Sequence, residues 1–178
     1  MKQIKLALIA ATSLLSLAVN AQIVGVNAFL KGDHVEVGLN KCGVYGTTAA
    51  PPAGYHPNVF GLGFVADSDL DGWDVGSPYD YCGDYFVPGT PEEGWQVQIG
   101  GSVYTNASNG CSPSEIPGSI TTYEFSGGMY TAIWEGTIAS EDISITQTTT
   151  LLIDKTYFVT RVLICNDGPT DLVDVYYN

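Results

Sequence analysis

Basic side chains are scarce. The 178-residue chain carries six Lys and Arg against nineteen Asp and Glu, a formal net charge of −13 at neutral pH. Polyanions need clustered cations, so nucleic acid and anionic lipid are poor partners; the balance favours cations and solubility instead. Histidine is rarer still. His34 and His56 have no nucleophile motif beside them, and no GxSxG, HExxH, phosphate-loop or dinucleotide fingerprint occurs anywhere in the chain. The four cysteines include no CxxC unit, which argues against a zinc site or a redox dithiol. Helical periodicity is missing, and one long apolar run only is present, at the very start.

That run reads as a signal peptide. Lys2 and Lys5 form a basic leader, Leu6 to Val19 is apolar, and Ala21 is a small residue before a mature start at Gln22. The expected mature product is an exported single domain over residues 22–178, with no membrane span and a net charge of about −15. In an exported chain the even set Cys42, Cys82, Cys111 and Cys165 suggests up to two disulfides, with three pairings open.

The remaining chain reads as strands and turns. Ile23 to Leu30 and His34 to Asn40 flank Lys31-Gly32-Asp33 as a hairpin, with His34 capping a strand end rather than ligating a metal. Val35, Val37 and Leu39 alternate with Glu36, Gly38 and Asn40, the pattern of a sheet with one buried and one wet face. Residues Cys42 to Pro57 hold three glycines and three prolines and form a long loop; Val59 to Val65 is the next strand. Further strands are expected at Trp95 to Ile99, Ser119 to Phe125, Met129 to Ile138, Ile143 to Ile153, Tyr157 to Cys165 and Leu172 to Tyr177. Gly100-Gly101, Gly127-Gly128, Asp154-Lys155 and Asp167-Gly168-Pro169 turn the chain between them. The fold class is therefore all-β, an antiparallel β-sandwich with long Gly/Pro-rich loops. The final strand-like run, Val173 to Asn178, without a polar tail, suggests truncation at the C-terminal end.

The densest chemistry lies in Asp67-Ser68-Asp69-Leu70-Asp71-Gly72-Trp73-Asp74. Three carboxylates at alternating positions before a glycine suit a loop that wraps a hard cation, so calcium is the expected cofactor, with Asp67, Asp69, Asp71, Trp73 and Asp74 as the site. An EF-hand is excluded, because its twelfth position is Pro78; Asp74, Asp80 or Asp84 would supply the last oxygens. The bland alternative is that these residues only build tight turns. Downstream, Tyr79, Tyr81, Tyr85 and Trp95 could stack on sugar rings, although such aromatics more often cover a core. Glu92, Glu93 and Glu135 are the acids a glycosidase would need, yet no spacing is legible and the sequence weighs against an enzyme. Asn106-Ala107-Ser108 matches a glycosylation sequon by chance.

The segments Ala28-Phe29-Leu30-Lys31-Gly32-Asp33-His34-Val35-Glu36-Val37-Gly38, Cys42-Gly43 and Pro51-Pro52-Ala53-Gly54-Tyr55-His56-Pro57 resemble the N-terminal region of large surface proteins exported by Bacteroidetes-type bacteria. Asp71-Gly72-Trp73, Gly83 to Gly89 and Glu92-Glu93-Gly94-Trp95 look similar too. The resemblance implies cell-surface or secreted localisation, and a family that commonly carries attachment repeats and a C-terminal sorting domain for type IX secretion. The latter is not evident in this sequence. The leading expectation is thus a calcium-stabilised extracellular module for adhesion or display, with a surface glycan or protein as partner. The alternatives are a carbohydrate-binding or glycan-active module using residues 79–95, and a plain structural spacer.

Overall fold

The computed structural model describes residues 22–47, 49–55, 61–66, 93–107 and 116–178. Eleven strands are found among them, and no helix: β1 (Gln22–Val24), β2 (Asn27–Lys31), β3 (Val35–Leu39), β4 (Phe64–Ala66), β5 (Trp95–Ile99), β6 (Ser102–Asn106), β7 (Gly118–Ser126), β8 (Met129–Ile138), β9 (Ile143–Leu152), β10 (Val159–Asn166) and β11 (Val175–Tyr177). They form three antiparallel sheets, ordered β1-β2-β3-β4, β10-β9-β8-β7 and β11-β5-β6. The all-β, sandwich-like architecture expected from the strand periodicity is present, with its strands divided among three sheets that share one core.

Period two builds the largest sheet. On β8, Tyr130, Ala132, Trp134 and Ile138 point inward, and on β9 so do Ile143, Ile145, Gln147, Thr149 and Leu151; their neighbours face outward. Ala28, Leu30, Val37 and Leu39 of the first sheet and Trp95, Val97 and Ile99 of the third meet them in the same core. Trp134, wholly buried, is the largest residue there. Its indole fits because residues beside it lack side chains. A Cβ built on Gly136 or Gly118 would lie 2.1 or 2.2 Å from the ring, far inside contact distance. These two glycines are register partners on β8 and β7, so the strands can close over the indole. The ring N–H donates to the Lys41 carbonyl at 2.8 Å, which satisfies its polar atom.

The first sheet corrects the expectation of one wet face. Glu36 and Asn40 are fully buried, and so is Gly38. The second face is covered by the Gly/Pro-rich loop. Leu62 runs so close to Gly38 that a Cβ there would sit 2.1 Å from the Leu62 carbonyl oxygen, and Tyr55 packs edge-on against Phe29 at 5.9 Å. Lys31 reaches Glu36 at 2.7 Å, also donates to the Gly54 carbonyl, and lies 5.4 Å from the Tyr55 ring centre. A buried carboxylate is tolerable only with such partners. Alternation along β3 therefore marks two cores of different composition.

Further differences concern boundaries: of the expected strand Val59 to Val65, residues 61–63 are not strand and β4 begins only at Phe64. The expected strand Ile23 to Leu30 is two strands, because Gly25 at φ 63° turns β1 back on β2. β6 was absent from the sequence reading; it follows the Gly100-Gly101 turn and pairs with β5 from Ile99↔Ser102 to Trp95↔Asn106. No helix among the described residues is long and apolar enough to cross a membrane.

Candidate functional site

The chain around Asn40 is folded by one side chain. Asn40 Oδ1 accepts the Cys42 N–H at 2.8 Å, and Asn40 Nδ2 donates to the Gly46 carbonyl at 2.9 Å, so the loop curls back and presents Tyr45 to the core. The Tyr45 N–H donates to Glu93 Oε2 at 2.8 Å, although 48 residues separate the two. Its hydroxyl shares hydrogen bonds with Thr149 on β9, at 2.9 Å, and Thr160 on β10. Burial pushes the Tyr45 phenol up to about 12.

Glu93 enters β5 beside this loop. Burial raises its carboxyl to about 6, and the hydrogen bond from Tyr45 offsets only part of that rise. It lines an open cleft of about 430 Å³ with Trp95, Gln96, Thr105, Ala107 and Asn178. Tyr177 of β11 lies with its ring 5.8 Å from that of Trp95, and burial together with the Glu93 charge raises its phenol. The cleft thus offers a carboxyl raised to about 6, the amides of Gln96 and Asn178 and the Thr105 hydroxyl.

Trp95 does not have the exposure a sugar platform needs. It is 5 % exposed, crosses the Trp134 ring edge-on at 5.5 Å, and donates its indole N–H to the Gly43 carbonyl at 3.0 Å. Its partners in the stacking expectation, Tyr79, Tyr81 and Tyr85, lie outside the described residues, as does the whole calcium segment Asp67, Asp69, Asp71, Trp73 and Asp74. Among the described residues no group of three or more His, Cys, Asp or Glu is placed to hold a metal. His34 precedes β3 as expected of a strand cap, with its Nδ1 buried and unpartnered.

The proposed acids separate. Glu93 lines the cleft beside β5, whereas Glu135 faces outward from β8 and lines a different one; Glu92 lies outside the described residues. Of the cysteines, Cys165 on β10 is a free, half-buried thiol, which removes it from the disulfide candidates. Cys42 is buried and is not a free thiol, and Cys82 and Cys111 lie outside the described residues. Asn106 is fully buried, donating to the Cys42 carbonyl at 2.6 Å and accepting the Ile116 N–H at 2.8 Å, so its amide is occupied and closed to glycosylation. The residue that sequence reasoning undervalued is Tyr45, which joins Glu93, just before β5, to Thr149 and Thr160 of the β10-β9-β8-β7 sheet through one backbone and two side-chain hydrogen bonds.

Comparison with protein-family models, with curated proteins and with solved structures finds no significant match to this chain.

Proposed function

We propose that this chain is an extracellular β-sandwich module of a bacterial surface or secreted protein, stabilised by calcium at Asp67, Asp69, Asp71 and Asp74, and serving adhesion or display. The observation that carries the reading is how the scaffold flanks the acidic stretch on both sides. β4 ends at Ala66, the residue before Asp67, and Glu93, two residues before Trp95 opens β5, accepts the Tyr45 N–H at 2.8 Å. The acidic segment is therefore tethered to the scaffold at both ends, which lowers the entropy lost when carboxylates converge on an ion. A bridge from Cys42 to Cys82 would add a third tether. The leader, the acidic balance and the resemblance to exported Bacteroidetes-type proteins support a type IX or similar extracellular destination.

Calorimetric titration of calcium into the chelator-treated protein tests this reading. One site is expected in the wild type and none in Asp69→Ala; absence of binding in both would overturn the calcium assignment. Sugar stacking at Tyr79, Tyr81, Tyr85 and Trp95 is the weaker reading, since Trp95 is a core residue.

A further inference from the structure

The outer face of the largest sheet carries a second cleft, of about 520 Å³, over the beginning of β7. Register places Ser119, Glu135 and Thr146 side by side across β7, β8 and β9, with Thr137 and Ser144 as the next paired row. The register shift between Ile120 and Thr122 adds Thr121 as an extra residue on β7, bending the strand, and this hydroxyl also lines the cleft. One exposed carboxylate is thus ringed by five hydroxyls at cross-strand spacing, about 5 Å between neighbouring Cβ atoms. A smaller cleft of about 310 Å³ shares Gly118 and Ser119 with it and continues toward β1, lined by Ile23, Val26, Lys41 and Ile120. Ile23 and Val26 are about half exposed. Both clefts fall in the range of about 300–1,000 Å³ typical of small-ligand sites.

The pair presents a polar trough running into an apolar shelf. A pyranose ring has the complementary pattern: hydroxyls around its edge, which a carboxylate and hydroxyls bind by hydrogen bonds, and C–H faces, which pack on aliphatic side chains. Calcium is a poor occupant, because a hard cation takes six to eight oxygens and several charges, and here there is one carboxylate. Anionic ligands meet a chain of net charge −13. We infer that the trough from Ile23 and Val26 to Glu135 and Thr146 binds a neutral oligosaccharide, with Glu135 as its central acceptor. This site is separate from residues 79–95 and shares no residue with the calcium segment, so either assignment can fail without the other.

Backbone amide NMR on the chelator-treated protein, titrated with cellohexaose, xylohexaose and mannohexaose, tests the inference. At least one is expected to shift the signals of Ser119, Thr121, Glu135 and Thr146, and Glu135→Ala combined with Thr146→Val should weaken that binding at least tenfold. Both positions are outward-facing, and the melting temperature of the variant reports whether the fold is kept. Glu124→Gln, exposed on β7 and outside both clefts, should leave binding unchanged. No perturbation by any of the three sugars, shifts centred on Trp95, or binding that survives the double substitution would overturn it.

Discussion

Replacing Glu93 by Gln should stabilise the protein at alkaline pH. The carboxyl is half-buried and accepts the Tyr45 N–H, yet its pKa stands at about 6 against an ordinary 4.5, so burial costs the charged form more than the hydrogen bond returns. The folded carboxyl therefore binds its proton more tightly than the unfolded one. Its contribution to stability is greatest below the unfolded pKa and is lost as the pH rises through about 6. At about 1.4 kcal/mol per unit the shift corresponds to about 2 kcal/mol, and residual solvent around the group reduces this to about 1–2 kcal/mol. Glutamine keeps an acceptor oxygen for Tyr45 and carries no charge. Urea denaturation in chelator should show the variant more stable by about 1–2 kcal/mol at pH 8, with the gap closing as the pH falls below about 4.5. A gap independent of pH would refute the reasoning. So would a variant less stable at pH 8, which would mean that the Glu93 charge has a favourable partner.

Gly136→Ala should cost about 3 kcal/mol or prevent folding, because its methyl would meet the Trp134 ring, whereas Gly101→Ala, with open space around it, should cost less than about 1 kcal/mol; paired denaturation curves check both. Trp95→Ala should lower stability by about 3–5 kcal/mol through the cavity it leaves beside Trp134, measurable by thermal unfolding before any binding assay. Alkylation of the unreduced native protein should label Cys165 and leave Cys42 untouched, and peptide mapping should then find Cys42 joined to Cys82 or Cys111; labelling of Cys42 would contradict this.

How far the sequence could be read differed along the chain. β8 and β9 were legible to within a residue, since inward and outward positions alternate along both, as with Ile143 and Ile145 against Ser144 and Thr146 on β9. β3 has the same alternation and a different outcome. Whether Glu36 is wet depends on a loop folding over it, and the loop's anchors, Lys31, Tyr55 and Leu62, are set by tertiary contact. β6 was missed although a signal existed: Gly100-Gly101 is a two-residue hairpin turn, and the β-branched and aromatic Val103-Tyr104-Thr105 lies just after it. At the site, Glu93 was among the acids a glycosidase would need, but the burial that raises its carboxyl, and the Tyr45 N–H 48 positions away that partly offsets it, come from tertiary packing. Trp95 looked like a platform because burial by Trp134 and Gly43 comes from parts of the chain that periodicity does not connect.

A structural cation site between β4 and β5 is tested by thermal unfolding in excess calcium and in chelator, on the wild type and on Asp69→Ala. Linkage predicts about 2.7 kcal/mol of stabilisation at a hundredfold excess over the dissociation constant, seen as an upward shift in melting temperature that vanishes in the variant. Identical melting of the wild type in calcium and in chelator would contradict the claim and leave Asp67 to Asp74 as turn chemistry.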